Sequence, residues 1–399
     1  MHVNRRKFIQ TTGLATAAMF LPRFLKAHES NAAINSEKIL VIIQLTGGND
    51  GLNTVVPYED GLYYNARPNI AIKKDDVFKL NTELGLHPNM KGFKNLFDNG
   101  KMSLINNVGY PEPDRSHFRS MDIWHTASNS NEYKTTGWLG RYLDERCGNC
   151  DKPTQVLEID DTLSLALKGN NVKGLALKDA RRLYGTTIDP FINQLTKQHE
   201  VGNHHHDNVE YLYKTLAETV SSAEYIYKTT KIFQSVAAYP NHQFGKSMKT
   251  ISELIISGVN TNVYYVSLGS FDTHFNQQKR QGDLLQQLSE TVEVFMNDLK
   301  KNGRANDVLL MTFSEFGRRV QENASNGTDH GTANQVFLIG NNLKKTGVYN
   351  NPPNLSDLDE GDLKFSVDFK NIYATLLKKW LNTDEQNILG NKYNYLEFI

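Results

Sequence analysis

The run from Lys38 to Leu45 is apolar and β-branched and stops at Gly47-Gly48, which predicts a buried central strand. A helix is expected over Asn89–Phe97, closed by Asp98-Asn99-Gly100. A strand over Met102–Val108 follows, then a helix over Ser116–Ala127 after a proline-rich turn. The stretch Trp138–Leu143 reads helical, and residues 153–190 give short β-like pieces and turns without a clear placement. Val209, Leu212, Leu216, Val220, Ile226, Ile232 and Val236 recur at helical spacing and predict one long helix from Asn208 to Ala238, ending before Pro240. A helix over Phe244–Ser257, a strand over Val263–Leu268 and a helix over Gln277–Lys301 come next. Strands Asp307–Phe313 and Gln335–Ile339 and a helix near Lys370–Leu381 complete the pattern. Strands alternating with amphipathic helices imply an α/β fold whose mostly parallel sheet is covered on both faces. With no repeat and no Pro/Gly/Ser-rich linker, one α/β domain is expected over 36–399, the helical stretch of about 190–258 forming an insertion or cap.

Composition narrows the classes. At 399 residues, 39% hydrophobic and 22% charged, the chain can bury a large core, which excludes global disorder. Lys+Arg and Asp+Glu balance at 44 each, so nothing in the charge points to nucleic acid. The mean hydropathy is −0.51, and no apolar run reaches 18 residues, which excludes a multi-span membrane protein. Two cysteines exclude a disulfide scaffold or a Cys-rich metal framework; Cys147 and Cys150 form a C-x-x-C for which a local disulfide is expected.

Asn4-Arg5-Arg6-Lys7-Phe8-Ile9 precedes a mild apolar stretch from Thr11 to Leu21, the pattern of a twin-arginine signal over residues 1–30. Cleavage near Leu25-Lys26-Ala27 or Asn31-Ala32-Ala33 would release a periplasmic or extracellular protein, and an uncleaved signal would leave it membrane-anchored. Loss of residues 1–27 removes five cations and no acid, taking the net charge from 0 to −5.

Candidate chemistry lies in the loops after the strands. Gly47-Gly48-Asn49-Asp50-Gly51 follows the first, Asp114-Arg115-Ser116-His117 the second, Gly269–His274 the third and Ser314–Arg318 the fourth. Gly327-Thr328-Asp329-His330-Gly331 sits between two strands. Loops beyond the carboxyl ends of a parallel sheet line its ligand crevice. Carboxylates with imidazoles are the donor set of zinc or manganese, with magnesium at an all-oxygen subsite. Two such ions clamp the attacking and leaving oxygens of an ester displacement. Ser116, at a helix start behind Arg115, is placed to act as a nucleophile on an anion. Each motif also has a plain structural reading: Asp50 a turn, Ser116 a helix cap, Glu315 an ion pair with Arg318 or Arg319, His204-His205-His206 a polar loop.

Leu45–Asn53, Arg115–Phe118, Phe271–His274, Ser314–Arg318, Thr328–Gly331 and the ending Val367–Leu377 together resemble an exported family catalogued as domain of unknown function 1501. The likeness runs over about 38–385. That family is grouped with the alkaline phosphatase and sulfatase-like superfamily, which implies a three-layer α/β sandwich with metals at the strand ends. The resemblance implies Asp50, Asp272, His274, Asp329 and His330 as metal ligands, Glu315 as a further or outer ligand, and Ser116 as the nucleophile with Arg115 beside it. It departs from the superfamily in spacing Asp272 and His274 by one residue and in having no histidine after His330, so that one metal subsite would be incomplete or be filled by His87 or His117. The sulfatase Cys/Ser-x-Pro-x-Arg signature is absent. The resulting expectation is an exported hydrolase of phosphate or sulfate esters carrying one or two divalent ions, zinc first, with a small-molecule or glycan ester as substrate. A non-catalytic protein binding an anionic glycan or a partner protein is the alternative. A metal-free serine hydrolase pairing Ser116 with His117 or His330 is a third reading, weakened by the lack of Gly-x-Ser-x-Gly.

Overall fold

The computed structural model describes residues 38–146, 154–192, 194 and 207–399. The twin-arginine segment, Cys147, Cys150 and His204-His205-His206 lie outside the described residues. No described helix is long and apolar enough to cross a membrane.

A nine-stranded sheet forms the middle layer. Its strands are β1 (Ile39–Leu45), β2 (Met102–Gly109), β3 (Val156–Glu158), β4 (Leu175–Ala176), β5 (Val263–Leu268), β6 (Val308–Phe313), β7 (Asn334–Gly340), β8 (Gly347–Val348) and β9 (Val367–Asp368). The order is β8-β2-β7-β6-β1-β5-β3-β4, with β9 also on β2. Every pairing is parallel except those of β7, which runs against both β2 and β6. The start of β7 therefore lies at the same edge as the ends of β1, β2, β5 and β6.

Alternation along β1 divides the core in two. Ile39, Val41, Ile43 and Leu45 face a cluster with Phe93, Met248, Ile251, Leu254, Leu288 and Phe295, from helices Lys91–Asp98, Gln243–Ile256 and Gln277–Lys301. Leu40 and Ile42 face Trp124, Trp138, Phe369 and Tyr373, from helices His117–Thr126, Trp138–Arg146 and Phe369–Thr375. Helix, sheet, helix is the three-layer α/β sandwich, and a strand buried on both faces is why Lys38–Leu45 reads as unbroken apolar sequence. Trp124 stacks on Phe313 and Phe369 at 4.9 and 4.2 Å between ring centroids, anchoring the helix that begins at His117.

The unplaced region 153–190 supplies β3, β4 and the helix Ala180–Thr187. Within 190–258, Gln243–Ile256 belongs to the layer covering the sheet, with Met248, Ile251, Leu254 and Ile255 fully buried. The long helix stops at Thr230 instead of reaching Ala238. Beyond it the Ser235 N–H donates to Glu253 Oε1 (3.0 Å) and the Ser235 hydroxyl to Asp298 Oδ2 (2.7 Å), tertiary bonds that replace helical ones. The last helix turns into a π segment over Leu376–Trp380.

Candidate metal centre

The turn after β1 shapes the floor of the site. Gly47 and Gly48 have φ of 114° and 72°, and a Cβ on Gly47 would sit 2.4 Å from the Asp272 nitrogen. A Cβ on Gly48 would meet the Phe316 ring at 2.2 Å. This tight turn aims the carbonyls of both glycines at Arg318, on the hairpin Arg318–Glu322/Thr328–His330. The Arg318 side chain is fully buried. It donates to Gly48 O (2.6 Å), Gly47 O, Phe271 O (3.2 Å), Thr328 O (2.9 Å) and Asp272 Oδ1 (2.7 Å). One guanidinium thus ties together the loops after β1 and β5 and the hairpin.

Three imidazoles converge on Asp272. The Nε2 atoms of His274, His330 and His117 lie 3.0, 3.3 and 3.6 Å from Asp272 Oδ1. Each Nδ1 points outward to an oxygen. His117 Nδ1 meets Glu315 Oε1 at 2.9 Å, His274 Nδ1 meets Asp329 Oδ1 at 3.1 Å, and His330 Nδ1 meets the Arg115 carbonyl at 2.8 Å. A carboxylate or carbonyl oxygen only accepts, so these partners favour the proton on Nδ1. The Nε2 atoms meet Asp272 Oδ1, itself an acceptor, and His274 Nε2 lies 3.0 Å from His330 Nε2, an arrangement in which a cation among them would let the Nε2 lone pairs face inward.

Burial pushes the Asp272 carboxyl up, but the hydrogen bond and charge of Arg318 outweigh it and hold the group down at about 2. The hydrogen bond from Asn323 lowers Asp329. Burial lowers His330, whereas the bond to Glu315 raises His117.

His117, Asp272 and His330 form a group whose ligand atoms all lie within 4.8 Å of one another. The donor set fits one divalent ion: two inward nitrogens and a carboxylate, with His117 Nε2 buried and lacking a hydrogen-bond partner. A second ion fits less well. Arg318 Nη1 already stands 3.4 Å from His274 Nε2, putting a permanent cation on that side.

The other sequence-predicted residues separate around this centre. Asp50, expected as a ligand, stands in an ion pair of its own. It is buried at 1% exposure, with Oδ2 bonded to Arg67 Nη1 at 2.6 Å and to the Gln277 amide, and Oδ1 capping the helix Gly51–Thr54. Both of its carboxylate oxygens are therefore engaged by this chain's own donors. Glu315 and Asp329 orient His117 and His274 from outside, and Glu315 also accepts from the Gly47 N–H at 2.8 Å. Arg115 turns its guanidinium to Asp362 (Nε to Oδ2 2.8 Å), so it is its carbonyl that serves the site. Ser116 is exposed at the start of His117–Thr126 and makes no side-chain cap bond. His87 is buried elsewhere, against Gly282, and burial lowers it to about 4. Of the two candidate completing histidines, the structure brings in His117.

Arg67, Gln277 and Asn323 were not legible as site residues, and Arg318 was read only as a motif residue and an ion-pair partner of Glu315. Gln277 bonds to Asp50 and accepts from the Thr328 hydroxyl at 2.6 Å and the Thr273 hydroxyl at 3.2 Å. Asn323 donates to both His274 O (2.9 Å) and Asp329 Oδ1 (3.1 Å). The available signal was the pairing of Gly47-Gly48 with Arg318-Arg319 after the fourth strand.

Residues 37–392 match the model of a family described as protein of unknown function, DUF1501. The chain belongs to this family. No match is found among curated proteins. Solved structures similar to this DUF1501 chain include the lipoteichoic acid synthase LtaP from Listeria monocytogenes, at 10% identity and TM-score 0.39, covering 94% of this chain and 81% of that one. A protein of the alkaline phosphatase superfamily from Vibrio parahaemolyticus has 9% identity and TM-score 0.37, covering 97% and 78%. PsFucS1 sulfatase from Pseudoalteromonas sp. has 10% identity and TM-score 0.40, covering 91% and 74%.

Proposed function

We propose that this DUF1501 protein is an exported metal-dependent hydrolase of phosphate or sulfate esters, using one divalent ion held by His117, Asp272 and His330. The observation that carries the reading is the common orientation of the histidines, each with Nδ1 fixed on an oxygen and Nε2 turned toward Asp272. Zinc is the expected ion, since nitrogen ligands with a carboxylate suit it best; manganese is the next candidate. When bound, the ion would supply Lewis-acid stabilisation to a substrate oxygen. Ser116 is the nucleophile of this reading. It lies between Arg115, whose carbonyl holds His330, and His117, at a helix start whose unpaired N–H groups favour an anion. The buried Arg318 keeps Asp272 ionised, and Glu315 and Asp329 keep two of the imidazoles in register.

A second reading has its own support. Asp50 locked on Arg67, with Arg318 beside His274, disfavours a two-ion site, as in a protein that binds an anionic ligand without turning it over. One experiment separates the two. The full chain is matured through its own export route, assayed for metal by elemental mass spectrometry and assayed on phosphate and sulfate esters. About one zinc or manganese ion per chain, lost together with activity in His330→Ala, is the expected result. No stoichiometric metal, or full activity in His330→Ala, would refute the hydrolase.

A further inference from the structure

Beside the histidines lies a cavity of about 390 Å³ that none of the site residues named above fills. Phe316 is the wall common to both. Its ring packs on His117 and His330 at 4.9 and 4.7 Å between centroids and is buried, as is Tyr110; of the three aromatic residues lining the cavity, Phe365 is the exposed one. Glu112, Asp359 and Lys364 also line it, all three exposed, and the Lys364 ammonium is ion-paired with Asp357. The loop carrying Phe365 is fixed in place: the Ser366 N–H donates to Asn107 O at 2.8 Å, and Gly109 has no Cβ where one would come within 2.8 Å of Phe365 Cβ.

We infer that this cavity is a subsite for a neutral sugar ring, the part of the substrate that carries the ester. The inference rests on the hydrolase reading only for what happens next to the ring, not for its binding. The exposed Phe365 ring offers its face to the C–H face of a pyranose, and the Glu112 and Asp359 carboxylates at the rim accept from its hydroxyls. The two carboxylates disfavour a second anionic group in the cavity, so the charge of the ester is directed to the histidine side, where Arg318 and the helix start of His117–Thr126 lie. A purely aryl or alkyl group would fill the aromatic part and leave the charged rim unused. The size is at the lower end of ligand pockets, enough for a small ligand or one unit of a larger one.

The test is ligand-observed saturation-transfer NMR on the full chain, with methyl glucoside, methyl galactoside and methyl mannoside as probes and p-nitrophenol as the aryl control, in the presence of EDTA. At least one glycoside is expected to bind through its ring C–H protons. Phe365→Ala, an exposed wall residue, should weaken that binding about tenfold. Lys364→Ala, at an exposed position, should weaken it less while leaving the fold intact. His330→Ala should bind the glycoside as the parent does, so loss of the hydrolase reading and loss of the subsite are separate outcomes. Binding of no glycoside at millimolar concentration, binding unchanged in both Phe365→Ala and Lys364→Ala, or binding of p-nitrophenol alone would overturn the assignment.

Discussion

Glu315 meets the histidine cluster from outside, on the far side of the His117 ring from Asp272. Its side chain is fully buried and its Oε1 is shared between the Gly47 N–H and His117 Nδ1. Glu315→Gln keeps the volume, but the amide can present its NH₂ to Nδ1 and so reverse the tautomer, turning an N–H inward where a lone pair is needed. Zinc affinity should fall by about 10–100-fold, the usual effect of losing such a partner. Zinc titration by calorimetry checks this, and an unchanged affinity would remove His117 from the ligand set. Residue types alone made Asp272, His274, Asp329 and His330 visible, because they cluster in short motifs after strands. They could not divide ligands from orienting groups. That division depends on which atom of each side chain faces Asp272, and it is decided by Arg115 O, Glu315 and Asp329 across long sequence separations. The ion pair of Asp50 was out of reach for the same reason: Arg67, its partner, sits 17 residues on, in a segment without any motif.

At the scale of elements, the turn after β1 is the part with the least freedom. Gly47→Ala would place a methyl 2.4 Å from the Asp272 backbone at a φ of 114°. The turn must then open, which moves the two carbonyls off Arg318 and loosens its hold on Asp272. A loss of about 2 kcal/mol in stability is expected, from backbone strain alone at the low end. Urea unfolding monitored by tryptophan fluorescence measures it, and a midpoint equal to that of the parent would show that the turn is not constrained. The five long strands β1, β2, β5, β6 and β7 were legible because a strand buried on both faces has no polar register to confuse, whereas β3, β4, β8 and β9, two or three residues each, were not. The hairpin Arg318–Glu322/Thr328–His330 was not, being five and three residues long with little alternation. Helix periodicity overshot at Ser235 because the pattern persists into residues whose backbone bonds go to Glu253 and whose hydroxyl goes to Asp298.

Across the whole molecule, three titratable groups buried away from the site set how stability responds to pH. Burial lowers both His87 and His125 from 6.5 to about 4. His125 Nε2 sits among Gln44 Oε1 (3.0 Å) and the Tyr265 hydroxyl (3.1 Å) within the core. Burial raises Glu158 from 4.5 to about 8, despite the Ser164 N–H bonded to its Oε2 at 2.7 Å. The histidines stay neutral in the folded chain while the unfolded chain takes up their protons below 6.5, so stability falls as pH drops from 6.5 toward 4. Glu158 works in the opposite sense. The folded chain keeps its proton up to about 8 while the unfolded chain releases it above 4.5, so folding loses ground as pH rises through that range. With two histidines against one acid, the contributions of these groups give a maximum near pH 6.5 and a decline to pH 8. Glu158→Gln keeps an acceptor for the Ser164 N–H and cannot ionise. Its melting temperature should match the parent's near pH 5, exceed it at pH 8, and stay level between pH 6.5 and 8 where the parent declines. Parallel melting curves for the two proteins across pH 5 to 8 would mean that Glu158 is ionised in the folded chain, with water or a cation reaching a position that the packing of β3 against β5 closes off.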